Sequence, residues 1–201
     1  LVSNIANVQV TPKNYWPDGS LKFAIVAGSM TLAANTPVTL SLTAGAVASA
    51  PALTTGDLRA TGITASISAD AFGTADWTAA DWVSPFQAWV SGPQMSSWIY
   101  RKPVGSDPHL VAWLEVRLFA GGAVEVLPWI ENGFLRVAGP TSKAATYGLS
   151  LGGTPRFSTA IDLPNHCRTP LVAGAALSHW LGVDPQVTVK HDTAYLQATG
   201  L

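Results

Sequence analysis

The chain has 201 residues, and its 11 basic and 12 acidic side chains leave a formal net charge of −1. Charged residues make up 11% of the sequence, against about 25% in an average soluble domain. So few bases exclude an extended nucleic-acid surface, which needs clustered Lys and Arg to neutralise phosphates. The composition also excludes a disordered chain, which combines low hydrophobicity with high net charge.

The shortage of charge bears on what the surface meets. A folded monomer of 21.0 kDa exposes about 9,000 Å² by the usual scaling of surface with mass. The charged residues then cover that area at about half the ordinary density. We interpret this as a surface that meets other protein molecules, with an ordinary low-charge domain as the alternative.

A hairpin is the first predicted element, with its turn at Trp16-Pro17-Asp18-Gly19. Proline presets the turn φ, aspartate caps the turn, and glycine accepts a positive φ. The flanking strands contain Val8 and Val10 on one side and Leu21, Phe23 and Ile25 on the other. We predict a structural role for four residues of this segment, with the indole covering the turn and fixing strand register: Trp16, Asp18, Gly19 and Lys22.

Period-two alternation predicts further strands, because successive side chains of a strand point to opposite faces. It occurs at residues 38–43, 63–68 and 112–119. In the last of these, Ala112, Leu114, Val116 and Leu118 face opposite to Trp113, Glu115, Arg117 and Phe119.

Two glycine pairs predict further hairpins with two-residue turns. Gly121-Gly122 joins 110–120 to 123–131, and Gly152-Gly153 joins 145–151 to 154–161. The first register places Arg117 beside Glu125 or Val126 and predicts a cross-strand ion pair.

The pattern predicts an all-β fold: a small β-barrel-like domain followed by an antiparallel β-sandwich, with few short helices. Residues 76–82 and 169–181 are the best helix candidates. Residues 23–56 carry no charge, but Asn35, Pro37 and many Thr and Ser interrupt them, so no membrane span is predicted. We predict three regions: a small β-domain at 1–75, an aromatic-rich connection at 76–104, and a β-sandwich at 105–201.

The aromatic cluster is the first candidate for binding. Indole rings stack on sugars and anchor protein interfaces, but buried aromatics mostly pack the core. Residues 82–100 contain no charge, which favours a core or interface role over an open catalytic groove. The candidate interface or sugar-contact residues are Trp77, Trp82, Trp89, Trp98 and Tyr100, with Phe86 between them.

Catalytic and metal-binding patterns are weak. His166, His179 and His191 have spacings that match no compact zinc motif, so we predict no metal and no cofactor. Ser178-His179 lacks a nucleophile elbow, and Asn165-His166-Cys167 is a sequential trio rather than a spatial one. Cys167 is predicted to be a small apolar residue. Glycosidase carboxylates would have to come from Glu115, Glu125 and Glu131.

The segment from Trp16 to Phe23, Trp-Pro-Asp-Gly-Ser-Leu-Lys-Phe, resembles the Trp-x-Asp-Gly-Ser-x-Lys-Trp hairpin of exo-rhamnogalacturonan-lyase-like proteins. Weaker similarity follows at 109–132, 147–162 and 191–196. The resemblance implies a small β-barrel, a β-sandwich and then an (α/α) toroid. Similar two-β-domain modules occur in tail or fibre proteins of tailed bacteriophages.

Three departures limit what the resemblance implies. Phe23 stands where the family has its second Trp, residues 163–180 are rich in Ala, and these 201 residues hold no toroid pattern. The resemblance therefore implies the fold and no catalytic residue, and we expect no enzyme activity in this region.

Together these features predict a structural virion protein: the ordered N-terminal anchoring region of a longer phage tail fibre or similar appendage. Its expected partners are copies of itself and other tail proteins, with no nucleic acid. The alternatives are the non-catalytic β-domains of a polysaccharide-lyase-like enzyme, with carbohydrate as the ligand, and a capsid decoration or head-fibre protein.

Overall fold

The structure is a computed structural model that describes residues 1–45, 50–70, 72–133, 142–174, 176–185 and 192–200. Its elements are mostly β-strands, which confirms the predicted all-β class. The strands are β1 (Val2–Ser3), β2 (Val8–Tyr15), β3 (Leu21–Gly28), β4 (Leu42–Thr43), β5 (Ala65–Ala69), β6 (Gly73–Trp77), β7 (Gln87–Val90), β8 (Met95–Val104), β9 (Asp107–Phe119), β10 (Val124–Asn132), β11 (Lys143–Leu151), β12 (Thr154–Leu163), β13 (Cys167–Pro170) and β14 (His179–Leu181). The helices are α1 (Thr55–Ala60) and α2 (Thr193–Ala198), with a 3₁₀ turn at Asp81–Val83.

Two antiparallel sheets form the sandwich. The larger has the order β13-β10-β9-β8-β7, with β14 also paired to β10, and the smaller has the order β12-β11-β5-β6. Their inner faces share one core, in which Ile67, Leu114 and Leu149 are almost fully buried. Burying each such side chain contributes roughly 1.5–3 kcal/mol, so this core holds the two sheets together.

The long strand β9 shows how the sequence sets the two faces of the larger sheet. Its core-facing residues Ala112, Leu114, Val116 and Leu118 are at most 2% exposed, whereas the alternate residues are half-buried. This confirms the predicted alternation, and Trp113, Glu115 and Arg117 consequently lie on the outer face of the sandwich.

Both glycine hairpins form. Leu151 pairs with Thr154, so Gly152-Gly153 is a two-residue turn as predicted. The turn at Gly121-Gly122 closes over three residues instead, because the Phe119 N–H donates to the carbonyl of Ala123 at 3.0 Å. Arg117 is opposite Glu125 in the resulting register, which confirms the predicted cross-strand pair.

The first 45 residues add a two-stranded ribbon outside the sandwich. The strands β2 and β3 pair with each other, and β1 pairs with β4. This confirms the hairpin at residues 16–19. The strand expected over 38–43 is limited to Leu42–Thr43, and the sheets of the described residues close into no barrel.

Gln9 fastens the ribbon to the sandwich. Its Nε2 donates to the Met95 carbonyl at 2.8 Å, and its Oε1 accepts from the backbone N–H groups of Gln94 and Met95 at 2.9 and 3.0 Å. Gly92 makes room for this amide, because a Cβ there would lie 2.2 Å from it. A buried side-chain amide with its groups satisfied fixes position as well as adding stability.

Neither predicted helix forms. Asp76 and Trp77 belong to β6, paired with Ser66 and Ala65, and only the short turn at Asp81–Val83 follows. The segment at 169–181 begins in β13 and ends in β14, both paired to β10. Pro170 and the positive φ of Gly174 oppose a continuous helix there.

The predicted division at residues 75 and 105 stays a prediction. The structure shows that β5 and β6 share a sheet with β11 and β12, so residues 65–77 and 143–163 contribute to the same core.

Candidate binding surfaces

Most of the aromatic cluster lies in the core. Trp77, Trp82, Trp98 and Tyr100 are at most 5% exposed, so their rings pack inside the sandwich. Only Trp89 of the five candidates is half-buried at the surface, while Phe86 is 51% exposed.

Trp82 and Tyr100 form the centre of this buried group. Their rings meet edge to face at 4.9 Å. The Trp82 Nε1 donates to the Ile63 carbonyl, and the Tyr100 hydroxyl donates to the Trp82 carbonyl, each at 2.8 Å. Burial raises the pKa of Tyr100, so its hydroxyl stays protonated and structural.

Trp89 reaches the outer face through a strand irregularity. Ala88 is opposite Trp98 and Val90 is opposite Ser97, which leaves Trp89 as the extra residue of a β-bulge. Bulges turn a side chain away from the strict alternation. The Lys13 ammonium of the ribbon lies 4.3 Å from the centre of the Trp89 ring and also donates to the Trp89 carbonyl.

An open groove crosses the outer face of the larger sheet, and we call it the tryptophan groove. It has a volume of about 410 Å³. Its residues come from β7, β8, β9, β10 and β13: Trp89, Ile99, Trp113, Glu115, Trp129 and Arg168.

Arginine and aromatic side chains alternate beside the groove. The Arg168 guanidinium lies 5.1 Å from the Trp113 ring and 4.9 Å from the Trp129 ring. Arg101 lies 3.9 Å from the ring of Phe86, which meets Trp113 edge to face at 5.6 Å. Each such contact contributes roughly 0.5–1 kcal/mol at an exposed site, so the groove wall is ordered by its own side chains.

A charge network lies at one end of the groove. Arg117 binds Glu115 through Nε at 2.7 Å and Glu125 through Nη1 at 3.1 Å, and Ser178 donates to Glu125 at 2.7 Å. Burial lowers the pKa of Arg117, but the two carboxylates raise it by more. Both carboxylates are therefore held as ion-pair partners, which does not suit a pair of glycosidase acids.

The turn residues of the ribbon lie at its exposed tip. Asp18 accepts from the backbone N–H and hydroxyl of Ser20, at 2.9 and 2.7 Å, and these contacts lower the pKa of Asp18. Gly19 has φ 82°. The Lys22 ammonium lies 4.4 Å from the Trp16 ring, which is 52% exposed.

The outward side of the ribbon is apolar, and we call it the ribbon face. Register places Gln9 opposite Ala27, on the side that meets the sandwich. Up to the bulge after Pro12, the alternate residues on the opposite side are apolar: Val8, Val10, Pro12, Ala24 and Val26. The polar residues Asn14 and Lys22 follow towards the turn. Neither edge of the ribbon pairs with another strand among the described residues.

The residues considered for catalysis or metal binding stay apart. His179 bonds the Leu171 carbonyl at 2.8 Å, and Cys167 packs against the core. His166 lies in a turn with φ 61°, and His191 is outside the described residues. In the part of the chain that the structure describes, no three His, Cys, Asp or Glu side chains cluster as metal ligands. No described helix is long and apolar enough to cross a membrane.

Sequence reasoning missed most of the tryptophan groove. The alternation in β9 already placed Trp113 and Glu115 on the outer face, and the hairpin register puts Trp129 beside Trp113. Arg168 comes from β13, whose pairing with β10 has no local signal in the sequence.

Comparisons with protein-family models, curated proteins and solved structures found no match.

Proposed function

We propose that the chain is a non-enzymatic structural protein of a phage particle, the anchoring N-terminal region of a tail fibre or similar appendage. It assembles with copies of itself through the ribbon face. The observation that carries the proposal is the apolar, unpaired ribbon, whose second strand begins a segment, residues 23–56, that contains no charge.

The accessible surface supports assembly. The chain exposes 11951 Å², about a third more than the ~9,000 Å² of a compact monomer of this mass. Among the described residues, ten of the fifteen exposed large apolar side chains lie in the first 45. This difference is larger than the roughly 1,600 Å² that a standard interface buries, so it is large enough to include a contact between copies.

A second copy of the chain is the partner that best fits the ribbon face. Backbone N–H and C=O groups at a free ribbon edge pair with another strand, and the apolar side chains add burial. A charged partner would find no counter-charge on the ribbon face. The resemblance at Trp16–Phe23 supports the placement in a phage tail.

The test is the molar mass in solution, by size-exclusion chromatography with light scattering. We expect a trimer, a hexamer or a larger ring. The variant Val10→Ser/Val26→Ser should dissociate it, whereas Leu177→Ser/Val183→Ser, at exposed positions of the sandwich, should leave it intact. A monodisperse monomer of 21.0 kDa would contradict self-assembly.

Immunogold microscopy of purified particles tests the location. Label at the tail supports an appendage, label on the head indicates the decoration alternative, and no label contradicts a virion role.

A further inference from the structure

The tryptophan groove is built from side chains that the assembly proposal does not use. Ile99 lies between Trp89 on one side and Trp113 and Trp129 on the other. All four are half-buried. The strands that carry Trp89 and Trp129 are three places apart in the sheet, a span of about 14 Å at the usual strand spacing.

The polar groups in the groove have unused bonding capacity. Arg168 is exposed and has no carboxylate partner among the described residues. Glu115 uses Oε1 for Arg117, and its Oε2 makes no hydrogen bond in the described part of the chain. A guanidinium supplies donors and a carboxylate supplies acceptors, so the groove offers both without a net charge.

We propose that the tryptophan groove binds an internal stretch of a neutral saccharide chain. The apolar faces of sugar rings pack against indoles, which combine a large contact area with little loss of conformational freedom. Sugar hydroxyls accept from Arg168 and donate to Glu115. The groove crosses five neighbouring strands of the sheet, which suits several consecutive rings of a chain.

Other ligand classes fit this chemistry less well. A nucleic acid requires several cations along its backbone, whereas the residues that line the groove include one arginine, Arg168, and one glutamate, Glu115. An anionic ligand would meet the Glu115 carboxylate, which lies 2.7 Å from Arg117, and would be repelled by it.

The proposal is independent of the assembly proposal, because none of the residues that line the groove belongs to the ribbon face. Binding can therefore be measured on the chain whatever its oligomeric state. The probes are cellohexaose, xylohexaose, mannohexaose and maltohexaose, with hexagalacturonate as the acidic comparison. The readouts are tryptophan fluorescence and isothermal titration calorimetry.

We expect at least one neutral hexasaccharide to bind and to change the fluorescence. Trp129→Ala and Arg168→Ala should each weaken binding about tenfold or more, as truncation of a central contact does. Glu115→Gln keeps the shape but changes the acceptor and should weaken binding less. The matched control is Trp16→Ala, which removes an exposed indole at the ribbon tip and should not alter binding.

Circular dichroism and the urea midpoint confirm that each variant is folded. The proposal is overturned if none of the neutral probes binds, or if hexagalacturonate alone binds. It is also overturned if binding persists unchanged in folded Trp129→Ala and Arg168→Ala variants.

Discussion

The sandwich and the first 45 residues use apolar side chains in opposite ways. In the sandwich, Trp77 and Trp82 are at most 1% exposed and pack between two sheets. In the ribbon, Trp16 and Phe23 are more than 50% exposed, since no second sheet covers the end of the ribbon that carries them. Similar residues therefore stabilise the fold in one region and remain available for a partner in the other.

The largest change in the free energy of unfolding should come from a substitution in the core. We expect Trp82→Ala to lower the free energy of unfolding by about 3–5 kcal/mol, because it leaves a cavity and removes the ring contact with Tyr100. Trp16→Ala should change it by less than about 0.5 kcal/mol, as for most surface positions. Urea denaturation followed by far-UV circular dichroism measures both, and equal losses would contradict the contrast between the regions.

Disrupting the charge network should give the next largest loss of stability. Arg117→Met removes the cation shared by Glu115 and Glu125, and leaves Glu125, which is 9% exposed, without its ion pair. We expect a loss of about 2 kcal/mol, in the range for hydrogen bonds to charged groups. Arg101→Met, which has no carboxylate partner in the described chain, is the control and should cost less. The same urea titration compares them.

Weakening the attachment of the ribbon should have a smaller and more local effect on stability. Gln9→Leu removes the amide that bonds Gln94 and Met95, so the ribbon should detach more often while the sandwich stays folded. Trypsin should cleave at Lys13 and Lys22 several-fold faster, with cleavage followed by mass spectrometry. Gln87→Leu, an exposed substitution on β7, should leave the cleavage rate unchanged. Unaltered cleavage in Gln9→Leu would show that this amide does not hold the ribbon.

The smallest predicted effect concerns the Asp107 carboxylate, whose contribution to stability changes only in acid. Burial raises the pKa of Asp107, but Lys143 at 2.6 Å and the N–H groups of His109 and Leu110 lower it by more. The folded pKa is thus below the unfolded value of about 3.9, so this contribution is present above that pH and is lost as pH falls through the folded pKa.

Lys143→Met should move the acid-unfolding midpoint to higher pH, because Asp107 keeps its burial and loses its cation. Lys22→Met changes an exposed cation over Trp16 and is the control. Fluorescence during acid titration reads the midpoint, and an unchanged midpoint in Lys143→Met would refute the assignment.

Local chemistry explains what the sequence could predict. Pro17, Asp18 and Gly19 specify a turn wherever they occur, and the spacing around Gly121-Gly122 determines the Arg117–Glu125 register to within one residue. The missed helix α1 also had a local signal, since Thr54 and Asp57 form a capping box. These features depend on neighbours in the chain.

The remaining features depend on pairing between strands that are far apart in the sequence. Nothing near residues 65–77 shows that this hairpin adds to β11, and nothing near Arg168 shows that it lies over Trp129. The bulge that turns Trp89 outward also arises from pairing with β8. The tryptophan groove could therefore be recognised in part from β9 alone, and only the folded sheet brings its opposite sides together.

Hydrogen exchange at two protein concentrations tests the central claim most directly. If copies assemble through the ribbon face, amides of β2 and β3 should gain protection at the higher concentration, while β9 and β10 exchange at the same rate at both. Unchanged exchange in β2 and β3 across a concentration range in which the mass increases would contradict the account, since assembly would then use another surface.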